Sequence, residues 1–228
     1  MTAFDNVLVV AAHPDDEVLG CGATISRLAR TGKVSILILG EGFTSRAEQR
    51  QSGAPELNVL RNNAEAAARV MNASAVEFGG LPDNRFDELA LLDVVKLVER
   101  AVERIAPTAI FTHHGGDLNV DHQVTFRSVL TATRPMKGHS VRELYSFEVA
   151  SSTEWAFGRF ESAFRPNFFV DVESSIEQKL RAMNQYPDEM RPFPHPRSED
   201  ALRAIARRWG SVVGCEYAEA FELIRGIQ

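Results

Sequence analysis

The sequence predicts an α/β fold, a Rossmann-like three-layer sandwich with a mostly parallel sheet, and three observations support this prediction. Residues 6–12 form a continuous apolar run rich in valine, as expected of a strand that is covered on both faces. A helical apolar stripe and a second apolar run, residues 34–39, complete a β-α-β unit. Strand-like and helix-like segments keep alternating through residue 112, which is typical of parallel sheets.

Segments of both kinds follow in order along the first half of the chain. Helices are predicted over residues 19–30, 56–72 and 86–105, and strands over residues 75–78 and 108–112. The first and third helices carry apolar side chains at three- and four-residue spacing on one face. Pro55 suits the first turn of the second helix, and Thr31-Gly32 provides a stop after the first.

The second half is less regular. Strands are predicted over residues 143–149 and 167–172, and helices over residues 174–185 and 198–208. Residues 186–198 (YPDEMRPFPHPRS) are too rich in proline for either and are expected to form a loop. No internal repeat is present, and because 228 residues suit one well-buried core, we predict a single domain over residues 1–228.

The composition excludes several classes of protein. Hydrophobic residues make up 44% and charged residues 25% of the chain, which is close to the average for globular proteins. The formal charge of −6 argues against a surface for nucleic acid. No apolar run is long enough for a membrane span, and the first residues lack the pattern of a signal peptide. We therefore expect a cytoplasmic protein; its two cysteines, Cys21 and Cys215, do not indicate a disulfide framework.

The motif HPDDE crowds charged side chains where the first strand ends. His13, Asp15 and Asp16 leave a buried strand together, and burying their charges is costly unless a cation compensates. His13 and Asp16 can face one ion across the turn, which leaves Asp15 available for proton transfer. The alternative is that Asp15 or Asp16 only caps the following helix.

A second polar cluster, residues 113–122 (HHGGDLNVDH), follows another apolar strand. Since ligands of parallel α/β sheets bind beyond the carboxyl ends of the strands, this cluster can complete a metal site with the first. His122 begins a helix, and Asp121 before it is suited to orient an imidazole. For His113 and His114 we favour a supporting or substrate-facing role over a ligand role.

The two motifs together resemble the PIG-L/LmbE-like family of zinc N-deacetylases. AHPDDE, followed later by Asp121-His122, has the order of the motifs in this family. The resemblance continues through Arg61 in LRNNAEAAARVM and Asp83 in GGLPDNRF, so that it covers at least residues 5–130.

The resemblance implies both a metal centre and roles for individual residues. Zn²⁺ is expected at His13, Asp16 and His122. Asp15 is the implied general base, and Arg61 and Asp83 are the implied contacts to the sugar. Fe²⁺ or another divalent ion would suit the same donors.

Asn119 departs from the pattern of the family. Its better-known members tend to carry a histidine three residues before the ligand histidine, where it helps to polarise the carbonyl or to protonate the amine. Asn119 can donate a hydrogen bond but does not titrate, so another group must supply the proton. His195 is our candidate, because some sugar deacetylases of this family use a distal histidine near the site, with Asp15 carrying the proton in both steps as the alternative. An ordinary surface histidine is the other interpretation of His195.

The expected activity is hydrolysis of an N-acetyl group on an amino sugar of the GlcNAc type, free or in a glycoconjugate or sugar nucleotide. Metal-bound water would attack the amide with Asp15 as the base. The expected partner is thus a small N-acetylated molecule, with neither nucleic acid nor a membrane span, and a homo-oligomer stays open. One alternative is an amidase acting on another N-acyl substrate, and a second is an iron oxygenase, although the ligand spacing fits the deacetylases better. A third is a nucleotide- or sugar-binding module, which rests on the weak glycine signal of Gly20-Cys21-Gly22.

Overall fold

The computed structural model describes residues 4–42, 54–160 and 162–227. Within these ranges seven strands form one sheet in the order β3-β2-β1-β4-β5-β7-β6. The strands are β1 (Asn6–Ala11), β2 (Lys33–Gly40), β3 (Ala75–Leu81), β4 (Ala109–His113), β5 (Glu143–Phe147), β6 (Phe168–Asp171) and β7 (Ala218–Gly226). The helices are α1 (Asp16–Leu28), α2 (Ala54–Met71), α3 (Leu91–Ile105), α4 (Val120–Ala132), α5 (Ile176–Met183) and α6 (Glu199–Val213).

The sheet is mostly parallel. Strand β1 pairs in parallel with β2 and β4, and its Val7 aligns with Val34 on one side and Ala109 on the other. Strand β7 is antiparallel to both of its neighbours, β5 and β6. The arrangement confirms the predicted fold class.

Alternate residues of β1 enter two different hydrophobic cores, which explains its continuous apolar run. Val7 and Val9 pack into the core that includes residues of α1, α2, α5 and α6. Leu8 and Val10 pack on the opposite face with residues of α3 and α4. Helices therefore cover both faces of the sheet and form the three layers.

The observed bounds correct several predicted ones. Helix α1 begins at Asp16, three residues before the predicted start. The predicted helix over residues 86–105 is divided, because a 3₁₀ turn at Phe86–Glu88 precedes α3. Strand β7 was not predicted from the sequence. Its Glu219 is a charged residue buried within the strand, and a bulge opposite Leu144 interrupts its alternation.

Helix α1 has a kink at Cys21, where the backbone leaves helical geometry (φ −149°, ψ 24°). A buried ion pair satisfies the backbone groups that the kink releases. The Glu219 carboxylate accepts from the Thr24 N–H at 2.7 Å, and Lys179 Nζ donates to the Leu19 carbonyl at 2.7 Å. Lys179 Nζ and Glu219 Oε1 are themselves 2.6 Å apart.

None of the helices in the described ranges combines the length and apolar character that crossing a bilayer requires.

Candidate metal centre

The carboxyl ends of the parallel strands border a cavity of about 130 Å³. Its walls come from the turn after β1, the segments after β2, β3 and β5, helix α2, the start of α4 and the loop before α6. Most of the side chains that line it are polar or charged: His13, Pro14, Asp15, Asp16, Gly42, Leu60, Asp83, Asn84, Asn119, His122, Ser151, Ser152, Glu189 and Arg197. The two sequence motifs therefore meet in one place.

Of the three predicted metal ligands, the two histidines both lie close to the carboxylate of the third, Asp16. Asp16 Oδ2 lies 3.3 Å from His13 Nδ1 and 3.2 Å from His122 Nε2. One ligand atom from each residue lies within 4.8 Å of the other two. Ligands held about 2.0–2.2 Å from a tetrahedral ion are roughly 3.3–3.5 Å apart, so this donor set fits a zinc-like ion after small shifts.

A further carboxylate lies beside the other nitrogen of each imidazole. His13 Nε2 is 2.9 Å from Asp121 Oδ2, and His122 Nδ1 is 3.1 Å from Asp117 Oδ1. The second pair is close but not aligned as a hydrogen bond. Carboxylates in this position fix the tautomer and the ring orientation of metal-binding histidines. Asp121, which the sequence suggested could orient an imidazole, thus contacts His13, and Asp117 faces His122.

The electrostatics of the cluster favour positive charge between these groups. Burial lowers the pKa of His13, but the hydrogen bond with Asp121 and the nearby Asp16 raise it to about 10. Burial also opposes charge on His122, yet Asp16 and Asp117 raise its pKa to about 9. Although burial alone would raise the pKa of Asp16, the imidazoles hold it well below its usual range. A cation is the charge that this arrangement of carboxylates accommodates.

Hydrogen bonds from three sides hold Asp117. Ser152 Oγ donates to Oδ1, Thr153 Oγ1 donates to Oδ2 at 2.5 Å, and the Asn119 N–H donates to Oδ1 at 2.9 Å. Burial would raise the pKa of Asp117, but its hydrogen bonds and the charge of His122 lower it to about 2. The carboxylate beside His122 is therefore rigid and ionised.

His113 and His114 are buried but lie outside the group of three. His113 Nε2 accepts from the Ala12 N–H at 2.8 Å, and its ring stacks on His122 with centroids 3.9 Å apart. His114 contacts Glu222 at 2.8 Å and the Ser162 carbonyl at 2.8 Å. His113 therefore packs beside the centre, with Nε2 3.5 Å from Asp16 Oδ2, whereas both nitrogens of His114 contact groups outside the centre.

Asp15 occupies a strained position at the start of α1. Its φ is 109°, a region that costs a residue other than glycine about 1–3 kcal/mol. Its side chain makes no capping hydrogen bond, so the alternative of a simple helix cap does not describe it. Oδ2 accepts instead from Arg197 Nη1 at 2.7 Å. Burial raises the pKa of Asp15 well above its ordinary value, although the Arg197 charge opposes this.

The structure places Asp83 and Asn119 in the cavity wall. Asp83 Oδ1 is 3.3 Å from His13 Nε2. Asn119 caps α4 by accepting from the Asp121 N–H at 2.8 Å, and its Nδ2 donates to Asn84 at 2.9 Å. The departure from the family pattern at residue 119 therefore also serves the start of α4.

Arg61 and His195 are not among the described residues that line the cavity. The exposed Arg61 guanidinium lies over the Phe78 ring, 5.4 Å from its centroid. His195 packs edge-on against Trp155 at 5.8 Å and accepts from the Arg197 N–H at 3.1 Å. The roles predicted for both residues stay predictions.

Arg197 and Glu189 were not predicted from the sequence, and Asp117 was given no individual role. Arg197 lies two residues after His195, which was predicted to act in catalysis. Its charged side chain within a stiff proline-rich loop was the only indication in the sequence. Ser151 and Ser152, left without a role, belong to the wall.

The glycines of Gly20-Cys21-Gly22 lie within α1 rather than in the turn after β1. A Cβ at Gly20 would stand 2.2 Å from the Phe147 ring, so this glycine permits close packing of helix on sheet. The geometry does not resemble a loop that cradles phosphates.

A Rossmann-like α/β sandwich with two imidazoles and a carboxylate converging at its carboxyl edge defines the class: an α/β protein with a candidate metal centre. Residues 8–133, more than half of the chain, match the PIG-L family, which is described as GlcNAc-PI de-N-acetylase. The chain belongs to this family, as its motifs predicted.

Named relatives agree with this membership. The chain is 28% identical over 244 residues to the diacetylchitobiose deacetylase of Thermococcus kodakarensis, which covers 97% of this chain and 84% of the relative. It is 40% identical over 81 residues to the 1D-myo-inositol 2-acetamido-2-deoxy-alpha-D-glucopyranoside deacetylase of Kineococcus radiotolerans, covering 35% of this chain and 21% of that one.

A solved structure agrees in fold. The N,N'-diacetylchitobiose deacetylase of Pyrococcus horikoshii, solved with its inhibitor MPG, superimposes with a TM-score of 0.78 at 21% identity. The superposition covers 97% of this chain and 84% of that chain.

Proposed function

We propose that this protein is a zinc-dependent hydrolase that removes an acetyl group from the nitrogen of an amino sugar. The observation that carries the proposal is the buried cluster of His13, Asp16 and His122, whose ligand atoms lie within 4.8 Å of one another. Two imidazoles and one carboxylate are a donor set of catalytic zinc sites, which keep one position open. The names of two relatives, a diacetylchitobiose deacetylase and an acetamido-glucopyranoside deacetylase, support the substrate class.

The reaction adds water to the acetyl carbonyl, breaks the C–N bond, and yields acetate and the free amine. A divalent ion held by His13, Asp16 and His122 would supply a Lewis acid and would lower the pKa of a water molecule to roughly 7. Asp15 lines the cavity beside the three ligands and accepts the proton of the attacking water. Asn119 cannot titrate and His195 is not among the described residues that line the cavity, so Asp15 is proposed to return this proton to the departing nitrogen as well.

Asp83 and Asn119 contribute hydrogen-bonding groups to the cavity wall. A carboxylate accepts from sugar hydroxyls, and an amide donates to carbonyl oxygens, so Asp83 orients the sugar and Asn119 stabilises the developing oxyanion. Arg61 is proposed to approach the sugar from α2. The assignment of zinc rests on the family, and Fe²⁺ fits the same donors.

The test separates metal binding from proton transfer in purified protein. Wild type, Asp15→Ala and His122→Ala are compared for metal content and for acetate release from a panel of N-acetylated sugars. We expect Asp15→Ala to keep the metal but to lose at least about a hundredfold in kcat, since general-base catalysis typically contributes 10²–10⁴. His122→Ala should lose both the metal and the activity. His139→Ala, in the segment between α4 and β5, is the matched control and should keep both.

Two results would overturn the proposal. One is wild-type protein that stays inert and metal-free after zinc is supplied. The other is equal activity in wild type, Asp15→Ala and His122→Ala. Release of a longer acyl group, but not of acetate, would favour the amidase alternative with the same centre.

A further inference from the structure

Arg197 reaches the centre from the far end of the chain. It directly precedes Ser198, the residue that caps α6, and its side chain is 19% exposed. Nη1 donates to Asp15 Oδ2 at 2.7 Å and to Glu189 Oε2 at 2.8 Å, and Nε donates to Ser151 Oγ at 2.9 Å. One guanidinium therefore joins the segment after β5, the proline-rich loop and the turn after β1.

These contacts fix Arg197 before it acts on Asp15. Glu189 is 7% exposed, and a buried carboxylate needs the positive charge that Arg197 provides. Ser151 aligns the Nε edge of the guanidinium, so its plane is set by two elements besides Asp15. Because the guanidinium is planar, the contacts of Nε with Ser151 and of Nη1 with Glu189 also fix the direction in which Nη1 meets Asp15, which a lysine ammonium would not do.

The two oxygens of Asp15 have different surroundings. Arg197 occupies Oδ2, whereas no donor from the described residues contacts Oδ1. Because Asp15 lines the cavity and is only 3% exposed, Oδ1 is the oxygen left for a molecule in the cavity. The strained backbone of Asp15 restricts where its side chain points, and the hydrogen bond from Arg197 holds the carboxylate there.

We propose that Arg197 is a positioning residue that holds Oδ2 of Asp15, so that Oδ1 faces the cavity as the base, with Glu189 and Ser151 holding Arg197 in turn. This inference rests on the proposed function. It makes the loop over residues 186–198, which lies outside the segment matched to the family, a part of the catalytic centre.

The experiment compares Arg197→Met and Arg197→Lys with wild type on N,N'-diacetylchitobiose or on the best sugar of the panel. Misplacement of a catalytic group by about 1 Å costs up to roughly a hundredfold, so kcat should fall 10- to 100-fold in Arg197→Met, with KM within about threefold. Arg197→Lys keeps the charge without the fork and should recover part of kcat. Zinc content should be unchanged, because Arg197 contacts none of the three ligands.

Arg203→Met provides a matched control. Arg203 bridges two carboxylates, Glu177 and Glu199, much as Arg197 bridges Asp15 and Glu189, but it lies on α6 outside the cavity. The control should keep wild-type kcat. A crystal structure of Arg197→Met supplies a readout that needs no activity, since the Asp15 carboxylate should have turned from its wild-type orientation.

Several outcomes would overturn the inference. If Arg197→Met kept kcat within threefold of wild type and left Asp15 unmoved, Arg197 would not position Asp15. The proposed function would then still stand. A rise in KM alone would make Arg197 a substrate contact, and loss of zinc would make it a support of the metal centre. If wild type released no acetate at all, the proposed function and this inference would fall together.

Discussion

At the scale of single residues, the centre depends on which group each of the two nitrogens of an imidazole contacts. His13 directs Nδ1 toward Asp16 and Nε2 toward Asp121, whose other oxygen accepts from the Phe86 N–H at 2.9 Å. Asp121 is fully buried, so both of its oxygens are committed to this geometry. His13 is thus held in one orientation before any ion arrives.

Replacing Asp121 with asparagine tests this orientation. The variant keeps the shape of the side chain but weakens the acceptor for His13 Nε2–H, and changes at such positions typically lower metal affinity 10- to 100-fold. Competition with a chelator measures the zinc affinity. Asp87→Asn, an exposed aspartate in the 3₁₀ turn nearby, should bind zinc like wild type. An unchanged affinity in Asp121→Asn would show that His13 needs no such partner.

At the scale of elements, the kink in α1 sets where the metal-binding turn lies. The first part of α1 carries Asp16, and its second part is capped by the Glu219 carboxylate from β7. Lys179 from α5 forms an ion pair with Glu219 and donates a hydrogen bond to the backbone carbonyl of Leu19. Three elements that are distant in sequence thus stabilise one bend.

Lys179→Met should destabilise the fold strongly. It leaves Glu219 without its cation in a buried site, and breaking a buried pair in this way typically costs 3–5 kcal/mol of unfolding free energy. Urea denaturation measures the change. Lys96→Met removes half of an exposed pair with Glu99 and should cost less than about 1 kcal/mol. Similar values for the two variants would mean that the kink does not depend on this pair.

At the scale of the whole molecule, His114 and Glu222 connect the end of β4 to the last strand. Burial lowers the pKa of His114, but the hydrogen bond with Glu222 and its charge raise it overall. Burial would raise the pKa of Glu222, yet His114 lowers it. The ionic part of this contact is present only while the imidazole is protonated and the carboxylate is ionised.

The stability that Glu222 provides should therefore depend on pH. For His114, whose folded pKa is raised, the contribution is complete below the unfolded pKa of about 6.5 and is lost as pH rises through the folded value. For Glu222 it is complete above the unfolded pKa of about 4.3 and is lost as pH falls through the folded value. The difference in unfolding free energy between wild type and Glu222→Gln should be largest near pH 5–6 and smaller at pH 9. A constant difference from pH 5 to pH 9 would contradict this coupling.

Sequence reasoning reached the parts of the molecule that local patterns encode. The apolar run of β1 predicted a buried parallel strand, because alternate side chains enter cores on both faces. The positions of HPDDE and of residues 113–122 after two strands predicted one site at one edge of the sheet, and the resemblance to the family then implied His13, Asp16 and His122 as the ligands. Arg197 and Glu189 were not predicted, because their position depends on how a proline-rich loop folds back over the sheet, and no periodicity records this.

The segment after β5 and the proline-rich loop complete one side of the cavity wall, whereas the predicted ligands all lie between residues 13 and 122. The residues that would bind the metal and the residues that complete the cavity wall thus come from separate parts of the sequence. We expect substitutions in the later part of the chain to change which substrates enter the cavity without changing metal binding. The same metal centre would then serve enzymes with different substrates.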